Sequence, residues 1–208
     1  MNRNLTELIG TFFLVITIGL TGNPIAIGAM LMVMVYAGGP ISGAHYNPAI
    51  TLVALMRKKI NMRGAVQYWI CQVIGAFLAA LIIYLSFHKP MQPPTPAPGF
   101  SNNLKPLMME MIFTFALATV VMNVAMSQKS ANNNYFGMAI GFTVLASAFA
   151  AGPVSGGAFN PAVAIGPTLM DAFTGGHSMS NLWIYLVGPL VGAAVAALVY
   201  PMMNPDEK

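Results

Sequence analysis

The strongest constraint on this chain is a twelve-residue stretch that occurs twice. Gly39-Pro-Ile-Ser-Gly-Ala-His-Tyr-Asn-Pro-Ala-Ile50 returns as Gly152-Pro-Val-Ser-Gly-Gly-Ala-Phe-Asn-Pro-Ala-Val163, identical at seven of twelve positions. Four of the other five are Ile/Val, Tyr/Phe or Ala/Gly exchanges. Upstream, Ala26-Ile27-Gly28 returns at the same offset as Ala139-Ile140-Gly141. An internal repeat dictates the architecture before any local reading does. The chain therefore reads as two copies of one unit, residues 1–85 and 107–208, joined by residues 86–106. The joint holds five prolines between Pro90 and Pro98, plus Gly99, Asn102 and Asn103. That composition predicts an extended segment outside any hydrocarbon layer.

Composition says where the two copies live. Only 7% of the 208 residues are charged, against about 25% for a water-soluble domain. Nine Lys and Arg with five Asp and Glu cannot cover a soluble surface. Six apolar runs are long enough to cross a bilayer or nearly so: residues 5–20, 25–38, 65–85, 107–127, 135–151 and 182–203. After the second run of each copy comes a half-length apolar segment, residues 49–56 and 162–170. The prediction is an all-α membrane protein with six transmembrane helices and two re-entrant half-helices, with polar loops at residues 128–134 and 171–181. Three spans per copy is an odd number, so the second copy must be inverted: a 3+3 inverted repeat.

Charge placement agrees. With the N-terminus inside, Arg3, Arg57, Lys58, Lys59, Arg63, Lys129 and Lys208 fall on the inner side and only Lys89 and Lys105 on the outer. This predicts a multi-pass protein of a cell membrane (plasma or inner) with both termini cytoplasmic. No basic n-region or cleavage site opens the chain, so a cleaved signal peptide is not expected. The net charge of +4 is dispersed rather than clustered on one face, which excludes a nucleic-acid partner. A single cysteine, Cys71, excludes an internal disulfide.

The repeated stretch carries the chemistry. Pro48 and Pro161 suit the first turn of a helix, which puts Asn47 and Asn160 at N-cap positions. The preceding Gly-Pro-x-Ser-Gly predicts irregular, closely packed backbone. Irregular backbone at membrane depth survives only when buried in protein or lining a wet cavity. Two such loops entering from opposite faces meet near the midplane, with two positive helix ends aimed at one lumen. The carbonyls of Gly43, Ala44 and His45, and of Gly156, Gly157 and Ala158, then line the path. Such a path suits neutral hydrogen-bonding solutes and repels cations.

On these residues the chain resembles the aquaporin, or major intrinsic protein, family. The likeness rests on the paired motifs Asn47-Pro48-Ala49 and Asn160-Pro161-Ala162 at inverted-repeat positions, and covers residues 5–200. Glu7 and Glu110 stand where the family keeps a buried glutamate bracing the re-entrant loops. Gln72-Val-Ile-Gly75 and Pro189-Leu-Val-Gly192 look like its third- and sixth-span signatures. The resemblance implies a homotetramer with one pore per subunit, transport driven only by gradients, and hydrogen bonds from Asn47 and Asn160 to the permeating molecule. The partners it implies are the lipid bilayer, water and small neutral solutes.

One position departs from the pattern. The family usually has an arginine after the second Asn-Pro-Ala; here Val163 follows. The other three positions of that outer filter fall at Ile27, Ala148 and Gly157. Diameter, lining groups and electrostatic barriers set pore selectivity, and this quartet is wide, apolar and uncharged. It predicts passage of glycerol, urea or ammonia. A strict water channel is the alternative, and an apolar ring can also dewet and slow water.

Other functions fit less well. A secondary transporter also uses inverted repeats and broken helices, but neither motif contains an ion-coupling carboxylate. No nucleophile, base and acid can be assembled into an enzyme site, and no cofactor is expected. His88 and His177 lie in predicted outer loops without clustered carboxylates or cysteines, so no metal site is expected. His45 reads as a packing residue of its loop rather than a gate titrating with pH. Tyr68, Trp69, Trp183 and Tyr185, near span ends, read as interfacial anchors. Gly64, Gly75, Gly141, Gly188 and Gly192 read as close helix crossings, and the 17 methionines as adaptable packing.

Overall fold

The computed structural model describes residues 2–98 and 104–207. Gly99, Asn102 and Asn103 of the predicted joint lie outside the described residues. The helices are α1 (Arg3–Thr21), α2 (Pro24–Ser42), α3 (Pro48–Met56), α4 (Met62–Phe87), α5 (Leu104–Val121), α6 (Phe136–Ser155), α7 (Pro161–Phe173) and α8 (Leu182–Met203). A π-helical turn, Met122–Met126, prolongs α5. All are helices long and apolar enough to span a membrane except α3 and α7, which are too short. No strand occurs among the described residues.

The packing repeats as the sequence does. Helix α1 lies against α2 and α4, and α5 against α6 and α8; α2 meets α6 between the copies, while α7 packs on α4 and α3 on α8. Each half-helix is thus seated chiefly on the other copy's long helix. Glycine allows the tightest crossings. A Cβ on Gly28 would stand 2.7 Å from the Gly141 carbonyl oxygen, inside van der Waals contact. Gly75 presses on the Leu8 carbonyl and Gly192 on the Met111 carbonyl, a matched pair, and Gly188 on Cβ of Glu110. Gly64 differs from expectation: its neighbours are Ile60 and Asn61 of its own turn, not a crossing helix.

Three other expectations are corrected. Gly-Pro-x-Ser is helical in both copies, because α2 runs through Pro40 to Ser42 and α6 through Pro153 to Ser155. Proline removes one donor and one hydrogen bond from a helix, and so close to the helix end the loss does not break it. The helices stop one residue later, at left-handed Gly43 (φ 89°) and Gly156 (φ 88°), a conformation glycine adopts freely. The loops are therefore only residues 43–46 and 156–159. Second, Tyr68 and Tyr185 are buried, not interfacial: their hydroxyls donate to the carbonyls of Ser42 (2.8 Å) and Ser155. Trp69 likewise donates inward, to the Pro48 carbonyl at 3.1 Å, while Trp183 remains 41% exposed. Third, the loop predicted at residues 171–181 begins late, since α7 continues to Phe173 and Ser178–Asn181 forms a 3-10 turn. Residues 90–97 form no helix or strand; Met91 is buried there and Ala97 N–H donates to the Val154 carbonyl at 3.1 Å. The joint thus lies against the end of α6.

Candidate solute pathway

Each four-residue loop is held from behind by a glutamate. Glu7 Oε1 accepts from the Ser42 hydroxyl (2.6 Å) and His45 N–H (3.0 Å), and Oε2 from Tyr46 N–H (2.7 Å) and the Gln72 amide (2.8 Å). Glu110 Oε1 accepts from the Ser155 hydroxyl (2.8 Å) and Ala158 N–H (3.0 Å), and Oε2 from Phe159 N–H (2.6 Å). Both side chains are fully buried. A buried carboxylate persists only when fully engaged by donors; here two donors to each are backbone N–H groups with no helix partner, and the rest are side chains. The loop backbone is strained as well: Ala44, Tyr46 and Phe159 all have φ of 50°, unusual for residues with a Cβ. His45 turns away from solution, with Nδ1 3.1 Å from the Thr51 hydroxyl and its ring edge-on to Tyr68.

The asparagines meet across the junction. Asn47 Oδ1 accepts from Ala49 N–H (2.8 Å) and Asn160 Oδ1 from Ala162 N–H (2.9 Å), capping α3 and α7. Asn47 Nδ2 then donates to the Phe159 carbonyl and Asn160 Nδ2 to the Tyr46 carbonyl, each at 2.9 Å. An amide nitrogen has two N–H donors, and the second finds no acceptor among the described residues. One N–H of each asparagine is therefore unpaired among the described residues.

Both asparagines line a cavity of about 670 Å³. Its wall runs from the α1–α2 turn (Gly22, Pro24) to the α5–α6 loop (Ser130, Asn133). Ile27, Ala148, Gly157 and Val163 all contribute to it, as do Gly43, Ala44, His45, Gly156 and Ala158. Pro48, Ala49, Pro161 and Ala162 do not: they are buried behind it and start the half-helices. No Lys, Arg, Asp or Glu is among the lining residues. The wall also includes aliphatic side chains, among them Leu14, Ile18, Leu31, Val35 and Val144. The lining thus combines residues of both loops and the two asparagines with aliphatic side chains.

The sequence reading missed two parts of this site. Tyr46 and Phe159, which supply the crossing carbonyls, were visible as the aromatic residue before Asn-Pro-Ala in both copies. The mouth on the face that bears the C-terminus gave no such signal. There the C-terminal tail meets the loop beside Ser130: Glu207 accepts from the hydroxyls of Tyr200 (2.6 Å) and Ser127 (2.7 Å) and from Lys129 N–H (3.2 Å). Arg57 donates to the Glu207 carbonyl and lies over the Tyr200 ring. The hydrogen bonds from Tyr200 and Ser127, more than the nearby Lys129, hold the Glu207 carboxyl at a pKa of about 2.

The model of the major intrinsic protein family matches residues 1–200. The chain belongs to that family. Among relatives, it is 35% identical over 216 residues to aquaporin NIP1-4 of Oryza sativa subsp. japonica, covering 96% of this chain and 76% of that one. It is 33% identical over 221 residues to glycerol uptake facilitator protein-like 6 of Lactiplantibacillus plantarum, covering 100% of both chains. The crystal structure of the aquaglyceroporin from Plasmodium falciparum has the same fold, with a TM-score of 0.85 at 20% identity over 99% of this chain and 97% of that one. Like other major intrinsic proteins, the chain is a multi-pass membrane channel and not an enzyme.

Proposed function

We propose that the channel passes water and small neutral solutes (glycerol, urea and ammonia) down their gradients through a wide outer filter of Ile27, Ala148, Gly157 and Val163. The observation carrying this reading is that no ionic side chain lines the cavity, including at Val163. A polyol or amide leaves water only if its polar groups find replacements. The six loop carbonyls and the free amide protons of Asn47 and Asn160 replace them, while the aliphatic wall receives the carbon side. The N-termini of α3 and α7 bring partial positive charge to the junction and oppose cations. The glycerol uptake facilitator-like relative favours the same solute class. Glu7 and Glu110 act as braces rather than proton relays, because each oxygen already accepts from a fixed donor. The assembly proposed is a homotetramer in a plasma or inner membrane with both termini cytoplasmic, on the resemblance and on the distribution of Lys and Arg.

Stopped-flow light scattering on proteoliposomes tests the solute. Glycerol and urea are expected to equilibrate well above the rate of protein-free vesicles. Val163→Arg narrows and charges the filter and should cut glycerol flux by about tenfold, the effect of a 1.4 kcal/mol barrier, with water flux less affected. Fast water flux without glycerol or urea flux would instead establish the strict water channel.

A further inference from the structure

A second cavity, of about 690 Å³, opens on the face that bears both termini. It lies where the first turns of α1 and α4 meet the turn after α3. Three cations line it, Arg3, Lys59 and Arg63, with no carboxylate among the lining residues. None of the three is in an ion pair; among the described residues that interaction joins only Lys129 and Asp206. Two helix N-termini converge on the same space. Asn2 caps α1 through Leu5 N–H (3.1 Å), and Asn61 caps α4 through Gly64 N–H (2.8 Å), leaving earlier N–H groups of both first turns without helix partners. At the start of the same two helices, Leu5 (49%), Met62 (60%) and Val66 (40%) are exposed.

We propose that this pocket binds the phosphate of an anionic membrane lipid, with the acyl chains lying along the α1–α4 face. Charge-charge attraction and two helix dipoles both favour a phosphate there. The adjoining apolar side chains favour a ligand that carries its own hydrocarbon over a soluble one. General attraction between basic residues and an anionic leaflet would act at every exposed cation alike; the pocket differs in gathering three cations and two helix ends around one concavity.

The test compares equal losses of charge inside and outside the pocket. The full-length channel is purified in mixed phosphatidylcholine and phosphatidylglycerol, and retained lipid is counted by native mass spectrometry. Arg3→Gln with Arg63→Gln is expected to lower phosphatidylglycerol retention at least tenfold more than Lys58→Gln with Lys129→Gln. Asn61→Asp keeps the helix cap, since Asp and Asn cap equally well, but adds a negative charge; it should also lower retention while leaving glycerol flux in neutral vesicles unchanged. Equal effects of the two double variants, or unchanged retention in Asn61→Asp, would overturn the proposal. Protection from thermal unfolding by inorganic phosphate, with none by phosphatidylglycerol, would assign the pocket to a soluble phosphate and overturn the lipid.

Discussion

The two re-entrant loops began as the same sequence and now differ in how they are secured. Both keep a glutamate, a serine, a tyrosine and a capping asparagine in matching positions: Glu7, Ser42, Tyr68 and Asn47 against Glu110, Ser155, Tyr185 and Asn160. Around the first loop a further polar set has formed. Gln72 donates to both Glu7 (2.8 Å) and the Thr51 hydroxyl (3.0 Å), and Thr51 faces His45. The corresponding residues of the second copy are Pro189, Ala164 and Ala158, which carry no side-chain hydrogen-bonding group. There the joint lies close instead, with Thr95 against Gly156. The retained group is what the geometry cannot lose: donors for the carboxylate, a stop for the long helix, a cap for the short one. The rest can be polar or apolar, and the polar set is not fully satisfied, since Gln72 Oε1 is buried without a hydrogen-bond partner among the described residues.

The largest effect should come from removing the braces. Glu7→Ala strands four donors and Glu110→Ala two, the Ser155 hydroxyl keeping the Ala151 carbonyl at 3.3 Å, at roughly 1–3 kcal/mol for each buried group left unpaired. Both should collapse folded yield, with Glu7→Ala the worse, as measured by thermal unfolding in detergent; equal losses would break the comparison. Next, Gln72→Leu should cost about 1–2 kcal/mol. Adding Thr51→Ala and His45→Ala should cost less than the sum of the single changes, because members of one network do not act additively; strict additivity would mean the polar set is not one unit. The smallest effect lies in the tail. Glu207 has a folded pKa of about 2, below the ordinary carboxylate value of about 4.3. Its contribution is therefore complete above that ordinary value and is lost as pH falls through about 2. Hydrogen exchange at residues 204–207 should rise across that window relative to intrinsic rates, and should be flat in Glu207→Gln.

Much of this was legible in the sequence, for physical reasons. The long apolar runs, the odd number of spans per copy and the asparagine caps follow from desolvation and helix termini alone. The positions of Glu7 and Glu110 came from the resemblance; their donors came only from the structure. Helix ends were misplaced where the glycines of Gly-Pro-x-Ser-Gly suggested irregular backbone, since the helix runs through Pro40 and Pro153 to Ser42 and Ser155. Tyr68 and Tyr185 were misread because a tyrosine near a span end looks the same whether its hydroxyl meets headgroups or a loop carbonyl. The mouth beside the C-terminal tail was invisible, since nothing local links Glu207 to Ser127; 80 residues separate them.

The crossed amides bear on how the protein is made. A ribosome that has delivered only the first copy has produced Asn47 but neither Phe159 nor Asn160, its counterparts in the junction. Until the second loop and α8 arrive, the tip of α3 has no opposite carbonyl and its flank has no long seat on the other copy, so the early intermediate must shelter an unfinished, water-seeking loop within the lipid or hold it at the surface. Biogenesis of the lumen is thus a late event, completed when the last third of the chain inserts.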